Sequence, residues 1–195
     1  MMTPENLYPF YMLLCRYYEG QMCNIEYDDF HSLILSLMKE DAASEKSIAM
    51  ALEMLGDVDA AQFKQFRYAF NRLFVGPGQL TAAPYESSYL NPFGIVMQEE
   101  TMAVRRSYLA QGLKLKKQNI EPDDHMALEL EFLLKMIERG NIEAYNSFLE
   151  NHLFKWVQPH AERIINNTDD SVCLSMAQLM TAIFSIAENN IGEKK

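Results

Sequence analysis

Cysteine is scarce in this chain of 195 residues. Its three cysteines, Cys15, Cys23 and Cys173, show neither a C-x-x-C pair nor the spacing of a zinc site. An odd number of cysteines without such spacing is typical of a reducing compartment. No basic segment followed by a long apolar run marks a secretory signal, and no apolar run approaches the roughly 20 residues that span a bilayer. We therefore expect a soluble, cytoplasmic protein without stable membrane insertion.

The sequence also lacks the short motifs of common enzyme classes. There is no G-x-S-x-G elbow, no G-x-G-x-x-G and no phosphate loop, and Gly76-Pro77-Gly78 is too short and has no following Lys. The histidines show no metal-ligand spacing. We expect no catalytic residue, no metal and no cofactor, and therefore no enzyme. A nucleotide hydrolase using Asp124 and His125 remains the alternative, with phosphate held by Lys114, Lys116 or Lys117.

The formal net charge is −10, while nearly half of the residues are apolar. This balance argues against nucleic-acid binding and favours either a basic partner or simple solubility. Thirteen methionines are many for this length. Most would fill the core, and the remainder could supply an adaptable apolar groove, because thioethers repack at low cost.

Apolar residues recur at helical spacing almost throughout, which predicts an all-α fold of about eight helices in a single domain over residues 1–195. Asp59, with Gln62 three residues later, predicts a capping box. Pro9 is expected to break any helix begun at Thr3, which places the first helix start near Tyr8. A helix capped by Asn141 is expected to continue through Trp156 and to end before Pro159, and an almost wholly apolar helix, Val172 to Asn189, is expected at the centre.

The segment E-P-D-D-H, residues 121–125, precedes a strong apolar stripe. Pro122 could occupy the first helical position, with Asp123 and Asp124 in the first turn beside the positive end of the helix dipole. Asp124 and His125 are adjacent and cannot share one helix face, which suits a polar recognition point better than a catalytic pair. The plainer interpretation is that Asp124 complements the dipole and His125 bonds to a neighbouring loop.

Residues 76–93 are rich in Gly, Pro, Ser and Thr and show no helical period, which predicts a long and functional loop. An extended backbone would send Tyr85 and Tyr89 to one side, with Ser87 between them, and form an aromatic lip. Alternatively, the two rings only pin the loop to the core. An aromatic ring with a polar tip suits a peptide that is half apolar and half charged.

Three segments in this order, P-Y-E-S-S-Y-L at 84–90, E-P-D-D-H at 121–125 and H-L-F-K-W at 152–156, resemble the TorD/DmsD/NarJ family of redox-enzyme maturation chaperones. The resemblance runs from about Phe70 to Trp156. It implies an all-helical cytosolic chaperone that binds the twin-arginine signal peptide or the apo-form of a molybdopterin-dependent oxidoreductase and delays export until the cofactor is inserted. A monomer and a domain-exchanged dimer both remain open.

Carried over position by position, the resemblance implies one set of peptide-binding residues: Tyr85, Ser87, Tyr89, Glu121, Pro122, Asp124, His125 and Trp156. The chain departs from DmsD-like members, which have Trp at the positions of Tyr85 and Tyr89, so the resemblance does not identify the client enzyme. An alternative within the family is a NarJ-like assembly chaperone that binds a cytosolic subunit body and ignores signal peptides.

Overall fold

The computed structural model describes residues 2–78, 80–91, 93, 97–115 and 121–192. Within these ranges the regular structure is helical, and the single β-type contact is an isolated bridge between Tyr85 and His125. The predicted all-α class is confirmed. The described α-helices are α1 (Pro4–Tyr18), α2 (Tyr27–Leu37), α3 (Lys46–Gly56), α4 (Ala60–Phe70), α5 (Ser87–Leu90), α6 (Glu99–Ala110), α7 (Met126–Glu138), α8 (Ile142–Asn151), α9 (Val157–Asn167) and α10 (Ser171–Gly192).

Helix α10 is the centre of the molecule, as its apolar sequence predicts. It packs against α3, α9, α4 and α1. It is also the one described helix that is long and apolar enough to cross a membrane, with a mean hydropathy of 1.4, but 61% of that apolar window is buried inside the protein. Its hydrophobicity is therefore accounted for by burial against other helices, as in the core of a globular protein.

Helix α1 begins earlier than predicted. Pro4 occupies its first turn, where a missing N–H costs nothing, and Thr3 precedes it, with its backbone N–H donating to Asn6 Oδ1 at 2.9 Å. Pro9 lies inside the helix, so the expected start near Tyr8 is wrong. The lost hydrogen bond is offset because α1 packs against α7 and α10 along a fully buried face.

Helix α4 begins as predicted. Asp59 Oδ1 accepts from the backbone N–H groups of Ala61 and Gln62, while Gln62 Oε1 accepts from the Asp59 N–H at 2.9 Å. The helix passes into a π-helical turn, Asn71–Val75, and stops at Gly76, whose φ of 101° is accessible to glycine. Its aromatic stripe packs as a row of rings around Tyr17, formed by Phe66, Phe70 and Phe74.

The single helix predicted to run from Asn141 through Trp156 is divided at His152, and a second helix follows. Asn141 caps α8 through its side chain, which accepts from the Ala144 N–H at 3.1 Å. The chain leaves helical geometry at His152, with φ −127° and ψ −87°, and passes through a short 3₁₀ turn into α9, which contains Pro159 in its first turn. The break at His152 turns its imidazole into the interior, where it binds Glu86.

Candidate functional site

The E-P-D-D-H segment is a turn that precedes α7, and the prediction of Pro122 as the first helical residue is wrong. The helix starts at Met126, with His125 as its N-cap residue. The His125 backbone N–H donates to the carbonyl of Pro122 at 3.2 Å, which closes the turn. His125 Nδ1 accepts from the Ala127 N–H at 3.2 Å and satisfies one free donor of the helix N-terminus.

The two aspartates of the turn are buried side chains with fixed partners, so they do not act as first-turn charges. Asp124 is 0% exposed, and its Oδ2 accepts from the Ser87 backbone N–H at 2.9 Å. Asp123 forms a salt bridge with Arg105 at 2.5 Å, and its carbonyl accepts from the Tyr108 hydroxyl at 2.9 Å. These contacts outside α7 hold the backbone in a turn, which is the physical reason why the helix cannot begin at Pro122.

Residues 84–87 pair with the turn before α7 through backbone hydrogen bonds. The Met126 N–H donates to the Pro84 carbonyl at 2.9 Å, and the Glu86 N–H donates to the Asp124 carbonyl at 3.1 Å. Between these bonds lies the bridge of Tyr85 and His125. Two of the segments that carry the family resemblance are therefore joined directly to each other.

Tyr85, Glu121 and His125 form one polar group at this junction. The Tyr85 hydroxyl donates to Glu121 Oε1 at 2.9 Å, and the edge of the Tyr85 ring packs on His125 with 5.2 Å between ring centroids. Burial lowers the pKa of His125, although the carboxylates of Glu121 and Asp124 act in the opposite direction. The imidazole is therefore neutral at physiological pH. With Nδ1 acting as an acceptor, its proton is on Nε2.

The predicted aromatic lip of Tyr85 and Tyr89 is not formed, because Ser87–Leu90 is one turn of helix rather than an extended segment. Tyr89 stacks on Trp156, with centroids 5.4 Å apart, and its hydroxyl bonds to His160 Nδ1 at 2.7 Å. Arg163 lies against the Tyr89 ring, 4.4 Å from its centroid. Tyr89 thus pins α5 to the helical core, which was the plainer of the two expectations.

His160 connects Tyr89 to the first helix. It is fully buried, and its Nε2 lies 2.8 Å from the hydroxyl of Tyr18 at the end of α1. Burial is the main cause that lowers its pKa to about 3. A neutral imidazole between two hydroxyls can accept one hydrogen bond and donate the other. His160 therefore fixes the positions of both tyrosines at once, although no motif in the sequence marked it.

A second group of ionisable side chains, also not anticipated from the sequence, lies beneath α5. His152 Nδ1 contacts Glu86 Oε2 at 3.0 Å, and Trp156 Nε1 donates to Glu129 Oε2 at 3.2 Å. Glu129 is 0% exposed, and burial together with the nearby carboxylates of Glu86 and Asp124 raises its pKa well above the ordinary value. Burial therefore favours the neutral form of the Glu129 carboxyl, whose other oxygen, Oε1, is buried without a hydrogen-bond partner.

An open cleft of about 520 Å³ lies beside the Tyr85 junction. Four separate parts of the chain line it: Tyr18, Glu19, Gly20, Cys23 and Asn24; Arg67, Phe70, Asn71, Phe74 and Val75; Tyr85; and Glu121 with His125. The lining includes four aromatic residues, Tyr18, Phe70, Phe74 and Tyr85. Two exposed carboxylates, Glu19 and Glu121, border the same cleft. The Arg67 guanidinium donates to the backbone carbonyl of Cys23.

The structure divides the sequence-predicted site residues into two groups. Tyr85, Glu121 and His125 line the cleft. Buried behind it, and unable to touch a ligand in this conformation, are Ser87, Pro122, Asp124 and Trp156, while Tyr89 is half-buried over Trp156. The wall contributed by residues 18–24 and 67–75 was missed, because nothing in those stretches distinguishes a cleft lining from an ordinary helix end.

The hydrolase alternative has no support in this geometry. Asp124 is enclosed and bonded to a backbone N–H, and the His125 Nδ1 that would act as a base already caps α7. Lys114 lines a different cleft, together with Phe132 and Lys135, and Lys116 and Lys117 lie outside the described residues. Within the described ranges no three His, Cys, Asp or Glu side chains are grouped so that they could hold a metal ion.

Comparisons with known proteins agree with the resemblance. A family model described as nitrate reductase delta subunit matches residues 37–162. The chaperone protein TorD of Vibrio parahaemolyticus is 31% identical over 147 residues, which cover 70% of this chain and 68% of that protein. The Tat proofreading chaperone DmsD of Salmonella typhi is 27% identical over 111 residues, which cover 57% of this chain and 54% of DmsD. The matches therefore span between about half and two thirds of these relatives.

A solved structure shows the same fold. The crystal structure of a protein assigned as a redox enzyme maturation protein from Archaeoglobus fulgidus superimposes with a TM-score of 0.59 at 21% identity, and the match covers 96% of this chain and 95% of that one. The family model covers more than half of the chain, and the relatives it resembles are chaperones rather than enzymes. The chain therefore belongs to the TorD/DmsD/NarJ family of redox-enzyme maturation chaperones, and it is a chaperone, not an enzyme.

Proposed function

We propose that this chaperone works in the cytoplasm and binds the twin-arginine signal peptide of a molybdopterin-dependent oxidoreductase through the cleft beside Tyr85. Binding would hold back export of the apo-enzyme until its cofactor is inserted. The observation that carries the proposal is the cleft itself, because it combines carboxylates with an aromatic lining at the junction of two family motifs. One relative is itself named a Tat proofreading chaperone.

The cleft has the chemistry that a twin-arginine segment requires. Guanidinium groups bind carboxylates through short, charge-assisted and often paired hydrogen bonds, and Glu121 is an exposed carboxylate at the rim. The half-buried ring of Tyr85 offers a surface on which a guanidinium or an apolar side chain can pack, and the buried rings of Phe70 and Phe74 lie behind it in the lining. The volume of about 520 Å³ lies in the range of small-ligand sites, so it suits a few side chains rather than a whole signal peptide.

The buried residues of the motifs would act by holding this cleft in shape. Asp124 fixes Ser87, and Trp156 supports Tyr89, so both keep residues 84–91 against the turn before α7. His125 would contribute its Nε2–H, which suits a backbone carbonyl of the peptide. The expected effect of losing Asp124 or Trp156 is therefore a disordered binding site rather than the loss of a single contact.

The proposal is tested by titrating a labelled peptide containing the Arg-Arg pair, and its Gln-Gln version, against the protein at low and high salt. We expect the Arg-Arg peptide to bind more tightly and to lose affinity with added salt, because partly exposed ion pairs are screened over about 8 Å at physiological ionic strength. Glu121→Gln should reduce the preference, whereas Glu53→Gln, an exposed acid on α3, serves as the matched control. Equal affinity for the two peptides would exclude recognition of the arginines.

A NarJ-like role is the second candidate, and the description of the matching family model as nitrate reductase delta subunit favours it. In that case the protein would bind a folded part of a subunit rather than a signal peptide. The two roles are separated by offering the apo-subunit with and without its N-terminal signal segment. Retention of binding after removal of that segment would support the NarJ-like role.

A further inference from the structure

The cleft has a second carboxylate outside the family motifs. Glu19 follows the last residue of α1, where Gly20 adopts a φ of 70° and turns the chain into the 3₁₀ segment Gln21–Asn24. The Glu19 side chain is exposed and borders the cleft that Tyr85, Glu121 and His125 also line. Its Oε2 accepts a hydrogen bond from the side-chain amide of Gln21 at 2.5 Å, which restricts the directions that the carboxylate can take.

The charge of Glu19 is incompletely balanced. Its pKa is raised, first by partial burial and then by the carboxylate of Glu131, and Arg16 opposes the shift without cancelling it. Among the described residues Glu19 takes part in no salt bridge. The nearby cation of the cleft lining, Arg67, directs its guanidinium to the Cys23 carbonyl. A cation entering the cleft would therefore relieve an existing repulsion at Glu19.

Two adjacent arginines in an extended peptide point in opposite directions, because successive side chains alternate. One carboxylate cannot bind both guanidiniums of such a pair, so recognition of the pair needs two carboxylates at separate positions. Glu121 and Glu19 meet this requirement: they come from different segments, more than a hundred residues apart in the sequence, and border one cleft. Glu121 is already bonded to Tyr85, and Glu19 is bonded to Gln21, so each has a defined position.

We propose that Glu19 is a specificity-determining residue that binds one guanidinium of the arginine pair while Glu121 binds the other. This inference rests on the proposed function, since it assigns a partner to a residue within the same site. It would supply the second carboxylate for an arginine pair, since the E-P-D-D-H segment of this chain exposes only one, that of Glu121.

The test is a set of binding titrations with four peptides, Arg-Arg, Gln-Arg, Arg-Gln and Gln-Gln, against the full chain and its variants. Glu19→Gln should weaken binding of the Arg-Arg peptide by about five- to tenfold, as expected for loss of a partly exposed charge-assisted hydrogen bond. For one of the two single-Gln peptides the substitution should leave the affinity unchanged, because that peptide already lacks the arginine that Glu19 binds. Glu19→Asp should restore part of the affinity, and Glu53→Gln should leave all four affinities unchanged.

The outcomes distinguish the two proposals. If the unmodified protein does not prefer Arg-Arg over Gln-Gln, the proposed function fails. If it does prefer Arg-Arg but Glu19→Gln binds like the unmodified protein, or loses the same factor with every peptide, then Glu19 pairs with neither arginine and this inference is wrong. Circular dichroism of Glu19→Gln should show an unchanged melting temperature, since the side chain is exposed. If the melting temperature of Glu19→Gln is changed, the four peptide affinities of Glu19→Asp are compared with those of the unmodified protein instead.

Discussion

At neutral pH, the Glu129→Gln variant should be more stable than the unmodified protein. Glu129 is fully buried, and its Oε2 accepts from Trp156 Nε1 at 3.2 Å. A glutamine amide supplies the same acceptor through its oxygen, and its nitrogen is a donor, as the protonated carboxyl oxygen is. The substitution therefore keeps the hydrogen bond from Trp156 and the volume, and removes only the ability to ionise.

The size of the effect follows from proton linkage. In the unfolded chain Glu129 loses its proton near the ordinary pKa of 4.5, whereas the folded protein retains it, because burial and the carboxylates of Glu86 and Asp124 raise the pKa. The folded state then holds one proton more, so the free energy of unfolding falls as the pH rises, by up to about 1.4 kcal/mol per pH unit. Between pH 5.5 and 7.5 this contribution is at most about 2.7 kcal/mol, and Glu129→Gln should abolish it.

Urea unfolding followed by circular dichroism at pH 5.5 and 7.5 measures this difference. Other groups titrate equally in both proteins, so they cancel when the pH dependence of the variant is subtracted from that of the unmodified chain. Glu131→Gln, an exposed position two residues away on the same helix, is the control and should change the pH dependence little. A pH dependence in Glu129→Gln within about 0.5 kcal/mol of the unmodified protein would show that Glu129 is ionised in the fold.

Three further measurements follow from the structure. Arg105→Ala leaves the buried carboxylate of Asp123 without its salt bridge and should cost about 3–5 kcal/mol of unfolding free energy in urea; a loss below 1 kcal/mol would contradict this. His160, whose pKa is lowered to about 3, should make the protein progressively less stable as the pH falls below about 6.5, because the unfolded chain then binds the proton that the folded one excludes. The measurement is made in Glu129→Gln, which lacks the opposing titration of Glu129, and a melting temperature that stays constant down to pH 4.5 in that variant would refute the prediction. Bound peptide should slow alkylation of Cys23, which lines the cleft, while the fully buried Cys173 should be unreactive with or without peptide. Equal rates of Cys23 alkylation with and without peptide would show that the peptide does not bind in this cleft.

The sequence predicted helices well where packing and local signals agree. The Asp59–Gln62 capping box and the central position of α10 were both read correctly, because each depends on residues close together in the chain. Three prolines, in contrast, were misread. Pro9 lies within α1, where packing against α7 and α10 outweighs the missing hydrogen bond. Pro122 precedes α7 by a full turn, because the contacts of Asp123 and Asp124 hold a turn there. Pro159 lies in the first turn of α9, where a missing N–H costs nothing, so it is compatible with a helix start.

The candidate site was predictable only in part. The motif resemblance located Tyr85, Glu121 and His125, which do line the cleft. It could not show that Asp124 and Trp156 are enclosed, because burial depends on which helices pack over them. The wall that contains Glu19 comes from a helix end without any recognisable motif, and only the three-dimensional structure brings it to the cleft.

The hydrogen bond between Tyr18 and His160 joins positions 142 residues apart, and it has a consequence for synthesis of the protein. One wall of the cleft is made by the end of α1, yet the imidazole that supports it belongs to α9, which is synthesised much later than α1. Contacts of such long sequence separation close late, after the local helices have formed. The end of α1 therefore takes its final position in the cleft wall only after α9 has been synthesised and has docked.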